Sequence, residues 1–232
     1  MLAVTINNHK SKLSACLAGS ISCFLLVESC FAISFDLRGE YENWNSGLSG
    51  TATALLGGFG ATHAIDSKLS VGGGLVAGKY GNSADATTDI SRFDIDLTAS
   101  YRLQPLISVY AGYQLIQLDY TNKDDNSRSF DDRSHGFGVG AARYFPLKPR
   151  WLLYGGAGLT GVYATSTLNN GSEDVGIGYS SSLNAGVLYS IDKISSVASG
   201  FKTRWSSIDY RGDSGKWSHN AIRLVISYSR QW

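Results

Sequence analysis

The chain has 232 residues, with 20 Lys and Arg against 19 Asp and Glu. That near-neutral balance excludes nucleic acid as a bulk electrostatic partner. Gly (27), Tyr (13) and Trp (5) are abundant while Pro (3) and Met (1) are scarce, which fits antiparallel β-structure in a single domain better than a helical protein.

The first 32 residues differ from the rest. Lys10 and Lys12 form a basic leader, and Leu13 to Val27 is a mostly apolar run of 15 residues. Ser29-Cys30-Phe31-Ala32 then places small residues at the two positions a signal peptidase reads. The pattern predicts a secretory signal over 1–32 and one domain over 33–232, because the run is short for a membrane helix. Glu28 is unusual so near a cleavage site. Leu13-Ser14-Ala15-Cys16 resembles a lipobox but precedes the apolar core instead of following it. Loss of Lys10, Lys12 and Glu28 would leave 18 bases and 18 acids. Cys16, Cys23 and Cys30 all lie in this leader, so the remaining chain has no thiol and suits an oxidising compartment without staples.

No run of 18 apolar residues follows, so any membrane insertion must use strands. Ten period-two segments can be marked. The first, about 34–44, alternates Phe35, Leu37, Gly39 and Tyr41 with Asp36, Arg38, Glu40 and Glu42. The second (51–63) carries Leu55 and Phe59 on one face, and the third (68–79) carries Leu69, Val71, Leu75 and Ala77. The fourth (91–102) is the cleanest, with Phe93, Ile95, Leu97, Ala99 and Tyr101 against Asp94, Asp96, Thr98 and Ser100. The fifth (106–120) and sixth (134–145) turn Ile107, Val109, Tyr113 and Phe137, Val139 one way. The seventh (151–165) and eighth (175–190) run through Trp151, Leu153, Leu159 and Ile177, Tyr179, Leu183. The ninth (196–210) opposes Phe201 and Trp205 to Lys202 and Arg204, and the tenth spans about 217–232.

The links alternate in character. Those at 45–50, 80–90, 121–133, 166–174 and 211–216 read as long and polar. Those at 64–67, 103–105, 146–150 and 191–195 read as tight and hold Pro105, Pro146 and Pro149. Long loops on one side and short turns on the other predict an all-β, antiparallel up-and-down transmembrane barrel of ten strands, with eight as the alternative if a Gly-rich segment is misread. A soluble sandwich would alternate too, but has less reason to sort its loops and prolines. Aromatics near segment ends predict two girdles. Trp44, Tyr80, Phe93, Tyr120, Trp205 and Trp217 lie at the long-loop side, and Tyr101, Phe145, Trp151, Tyr189 and Trp232 at the short-turn side.

In the tenth segment Ile222, Leu224, Ile226, Tyr228 and Trp232 share one face. Together with the leader and the alternating strands they resemble the small outer-membrane barrels of Gram-negative bacteria, the opacity-protein and outer-membrane-protein-A-like superfamily. The resemblance implies that these five residues form the signal read by barrel-assembly machinery, that the chain resides in the bacterial outer membrane after export, and that lipid and lipopolysaccharide surround it. Arg230 departs from the hydrophobic residue expected third from the end. The resemblance specifies fold and biogenesis, not activity.

The other face predicts a charged lumen of Asp36, Arg38, Glu40, Glu42, Asp94, Asp96, Lys202, Arg204 and Arg223, five acids facing four bases. Such a set forms either a constriction that selects polar solutes or a paired core that plugs a narrow barrel. A structural or passive porin-like role follows, with no cofactor, metal or catalytic residue expected. One alternative is a surface adhesin that meets a host surface through Arg211-Gly212-Asp213 in the last long loop. The other is a rim hydrolase like the omptin proteases, built from Asp94, Asp96, Asp131, Asp132 and His135, although Asp132-Arg133-Ser134-His135 has a different spacing. Ser218-His219 lacks a matching acid for lipid deacylation. The stretch 122–133 reads as a charged loop without calcium-loop order.

Overall fold

The computed structural model describes residues 12–18, 20–26, 33–46, 50–81, 88–124, 129–168, 171–211 and 216–232, the stretch 12–26 by its backbone alone. Two short strands, β1 (Lys12–Ala18) and β2 (Ser20–Leu26), pair with each other in a two-stranded sheet of their own. The expected cleavage region around Glu28 to Ala32 lies outside the described residues.

Ten strands make a closed antiparallel barrel: β3 (Ile33–Ser46), β4 (Gly50–Ala64), β5 (Leu69–Gly81), β6 (Thr88–Gln104), β7 (Ile107–Asn122), β8 (Phe130–Lys148), β9 (Trp151–Leu168), β10 (Glu173–Ser190), β11 (Ser195–Arg211) and β12 (Lys216–Gln231). Each pairs with its sequence neighbours, and β12 pairs with β3 to close the wall. The Trp232 amide completes that seam by donating to the Ile33 carbonyl at 2.9 Å. Closure leaves no open edge, so the backbone is satisfied within the wall.

Two short-turn connections share one device. Asp66 Oδ1 accepts from the amides of Lys68 (2.6 Å) and Leu69 (2.7 Å). Asp192 Oδ1 accepts from those of Ile194 (2.8 Å) and Ser195 (2.7 Å). These amides hold both exposed carboxyls below the usual carboxylate range. The same Ile-Asp dipeptide opens both turns, so the sequence itself sets the reversal.

The strands run from 13 residues in β5 to 19 in β8, whereas about 9–11 suffice to cross a bilayer. The wall therefore stands above the apolar belt at its long-loop end. There the outer face turns polar, with Lys123 paired to Asp89 at 2.8 Å and Gln117 donating to Asp119 at 3.0 Å. The long links shrink to 47–49, 82–87, 123–129, 169–172 and 212–215. The expected loop over 122–133 is corrected: from Phe130 onward it is strand, paired with both β7 and β9.

Outside, Leu37, Leu55, Phe137, Leu159 and Tyr179 are each more than half exposed and form a continuous apolar belt. Such a belt on a soluble protein would aggregate. At the short-turn end, cations lie over aromatic rings: Lys68 on Tyr101 (6.0 Å), Arg143 on Phe145 (4.9 Å) and Arg230 on Trp232 (4.6 Å). Trp151 packs on Tyr189 at 4.8 Å. This is the expected interfacial girdle.

The long-loop girdle is corrected. Phe93 and Trp205 point outward, but Trp44, Tyr80 and Tyr120 are buried inside. The reason is phase: Trp44 continues the inward series of Glu40 and Glu42. Trp44 lies 5.5 Å from Tyr80 and 6.3 Å from Tyr120, which stacks on Phe130 at 4.1 Å. Trp217 sets its edge against Tyr120, Phe130 and Tyr210. Ile116, Leu118, Val162 and Ile208 fill the gaps. These rings cap the lumen at the long-loop end.

A second apolar layer occupies the short-turn end, with Tyr144, Tyr154, Leu152, Leu188 and Val225, and Tyr110 packed against it. Tyr154 lies across Gly186 and Gly200, where an added Cβ would collide with its phenol oxygen. Glycine at both positions is what lets the ring fit.

Candidate functional site

Between the two layers lies a band of charge. Asp36, Glu40, Glu42, Asp94, Asp96, Arg38, Arg204 and Arg223 are all buried, Glu42 completely, and Lys202 partly. They point inward because they share parity along β3, β6, β11 and β12.

Arg223 is the hub. Its Nη1 donates to Glu40 Oε2 at 3.1 Å, its Nη2 reaches Asp94 Oδ2 at 3.5 Å, and its Nε pairs with Glu42 Oε2. Arg92 is a second hub that the nine predicted lumen charges omit. Its Nε and Nη2 hold Asp94 in a fork at 2.8 and 2.9 Å, and its Nη1 donates to Glu42 Oε1 and the Tyr80 hydroxyl, each at 2.8 Å. Tyr80 in turn donates to Glu42 at 2.7 Å. Bidentate guanidinium contacts of this kind are among the strongest hydrogen bonds in proteins. Parity would have found Arg92, which stands two residues before Asp94 on the same face. With it the band holds five acids and five bases.

Across the seam Arg223 meets Glu40 and Glu42. Asp36 pairs with Arg38 on its own strand. Arg204 donates to Ser180 Oγ at 2.8 Å across the β10–β11 pair. The arrangement is a cross-linked polar core. It occupies the barrel where a conducting channel would need open water.

The residues considered for a rim hydrolase do not converge. Asp94 is bound to two arginines, while Asp132 accepts from Tyr210 at 2.7 Å inside the wall. His135 has the opposite parity on β8 and takes Tyr113 as partner at 2.8 Å on the outer face. Ser218 and His219 are adjacent in β12 and so point to opposite faces. Among the described residues no group of three His, Cys, Asp or Glu could hold a metal. Arg211 is exposed at the end of β11, while Gly212 and Asp213 lie outside the described residues.

Ile222, Leu224, Ile226, Tyr228 and Trp232 all face outward from β12 or beyond its end, Trp232 being 73 % exposed. The charge of Arg230 lies over the Trp232 ring, which accommodates a cation among these outward residues.

A closed antiparallel wall, apolar outside and polar inside, defines a β-barrel membrane protein. The family model for the outer membrane protein beta-barrel domain matches residues 37–229, and the chain belongs to that family. Its place is the bacterial outer membrane, where barrels carry short periplasmic turns and longer extracellular loops. Among solved structures it is similar to the outer membrane protease OmpT from Escherichia coli, at 11% identity over 87% of this chain and 96% of that one, with a TM-score of 0.54. It is also similar to Neisserial surface protein A, at 16% identity over 87% and 97% of the two chains, with a TM-score of 0.48. For Ail, the attachment invasion locus protein of Yersinia pestis, the values are 11%, 87% and 99%, with a TM-score of 0.40. These likenesses concern fold alone. No curated protein matches the chain.

Proposed function

We propose that this protein is a sealed structural barrel that anchors a rigid polar rim and its loops above the outer membrane, not a porin. The single observation that carries this reading is the balanced charge band, cross-linked by Arg92 and Arg223 and closed above and below by aromatic layers. A solute passing through would have to break several buried ion pairs at once, and breaking even one is strongly unfavourable. Lipid and lipopolysaccharide would cover the apolar belt, and assembly machinery would read the outward face of β12 during insertion.

The test is swelling of proteoliposomes in isotonic solutions of small sugars and amino acids. The sealed barrel gives rates no different from protein-free vesicles. Swelling that falls with solute size, as a porin gives, would replace this reading with passive transport.

A further inference from the structure

The lipid-facing wall is not evenly rough. On β6 to β9 small outward residues meet as direct register partners: Ala99 with Ala111, Ala111 with Val139, and Ala141 with Ala157. Larger outward side chains stand around them, Tyr101, Leu159, Leu183 and Trp205, each more than two-fifths exposed. The result is an apolar hollow of about 950 Å³ on the outer surface. A second hollow of about 1370 Å³ continues it, sharing Ala99, Ala111, Val139 and Leu159. Ligand pockets occupy roughly 300–1,000 Å³, so this is space for a molecule and not a gap between side chains. It lies within the apolar belt, so what fills it comes from the membrane.

The short-turn edge of the hollow ends on a cation. Arg143 is the next outward residue after Ala141 on β8, and its register partner on β9 is Gly155, the outward residue next to Ala157. Arg143 is exposed, lies over the Phe145 ring at 4.9 Å, and has Ile107 as its partner on β7. None of these neighbours is acidic. Its level is that of the interfacial girdle, where lipid headgroups begin.

Other cations stand beside it. From β8 to β12 the short-turn end carries Arg143, Lys148, Arg150, Lys193 and Arg230, all exposed, against one acidic side chain, Asp192. Asp192 already accepts two turn amides and interacts with Arg230. Arg143, Lys148 and Arg150 therefore have no acidic side chain of their own at this end among the described residues. Basic clusters beside a membrane-spanning segment attract anionic lipid.

We propose that the hollow is a binding site for one anionic phospholipid, with an acyl chain over Ala141 and Ala157 and its phosphate at Arg143. The short-turn end faces the periplasm, so the occupant comes from that leaflet. Arginine offers phosphate a two-pronged set of donors, and Lys148 and Arg150 in the following turn add charge. A lipid without net charge could fill the hollow but would leave the excess cations unmatched. The site depends on the barrel's place in the membrane and not on whether its lumen is sealed.

The experiment is native mass spectrometry of the full chain, refolded in detergent and released from micelles holding equal phosphatidylglycerol and phosphatidylcholine of matched chains. The proposal expects one phosphatidylglycerol retained per barrel in preference to phosphatidylcholine. Arg143→Gln should weaken that retention about fivefold, the worth of one cation beside an anionic lipid surface. Ala157→Trp should reduce retention of both lipids alike, because residue 157 is exposed in the hollow and its indole would take the place of the chain. If Arg143→Gln fails to fold, the lipid preference of the wild type and its response to Ala157→Trp decide. Equal retention of the two lipids by the wild type would overturn the proposal. So would a preference that survives both substitutions, or barrels that pair through this face and retain no lipid. Permeability does not enter the readout, so its failure leaves the sealed lumen standing.

Discussion

Arg223 and Glu42 face one another across the seam where the last strand of the barrel meets the first, as direct register partners joined by an ion pair. Closure is therefore held by backbone hydrogen bonds and by a charge contact buried in the wall's interior. Removal of one partner leaves the other charged and unsatisfied. Arg223→Met should cost about 3–5 kcal/mol, read as a lower urea midpoint for the folded, heat-modifiable form. The double variant Arg223→Met/Glu42→Gln should recover part of that loss, because fewer buried carboxylates are then left unpaired.

The extracellular aromatic layer stabilises the barrel but is not its sole seal. Trp44 is 2 % exposed and contacts both Tyr80 and Tyr120. Trp44→Ala should destabilise the barrel by about 3–5 kcal/mol. Vesicles carrying it should stay tight, since the charge band below is untouched. Swelling of those vesicles would assign the seal to the rings.

The periplasmic layer depends on glycine beneath a tyrosine. Gly200→Ala would drive its new methyl into Tyr154, and overpacking of this kind costs about 1–3 kcal/mol. Tyr154→Phe in the same background removes the oxygen that collides and should restore part of the stability. Equal midpoints for the single and double variants would assign the cost to the Ala185 carbonyl, which the new methyl also meets, and not to the ring.

Two turns predict a pH dependence. Asp66 and Asp192 have carboxyls held below the ordinary value of 3.8 by amides that donate to them. A depressed folded value contributes stability above the unfolded value, and that contribution is lost as pH falls through the folded one. Asp66→Asn keeps one acceptor oxygen but cannot titrate. The wild type should therefore lose stability between pH 5 and pH 2 more steeply than Asp66→Asn, by urea titration at each pH. Parallel curves would show that the turn is indifferent to the charge.

The period of two along the chain was enough to read ten strands, their closure and the outward belt, because lipid outside and a packed core inside impose opposite chemistries on alternate residues. It also placed Asp36, Glu40, Glu42 and Arg223 on one face. What it misjudged came from reading height without phase. Trp44, Tyr80 and Tyr120 stand near strand ends, as girdle residues do, but their parity turns them inward. Arg92 was passed over and Asp132 was read only as a rim or loop residue because polar residues near a loop read as solvated, whereas strands that overshoot the membrane carry such residues into the lumen. The contact of Tyr80 with Glu42 depends on how β3 and β5 sit around β4, which no local pattern reveals.

The central claim is that the lumen is filled. Single-channel recording of the refolded full chain in planar bilayers tests it most directly. The packed charge band predicts a silent membrane, with no unitary current steps under an applied potential. Sustained, reproducible steps from the wild-type protein would contradict it.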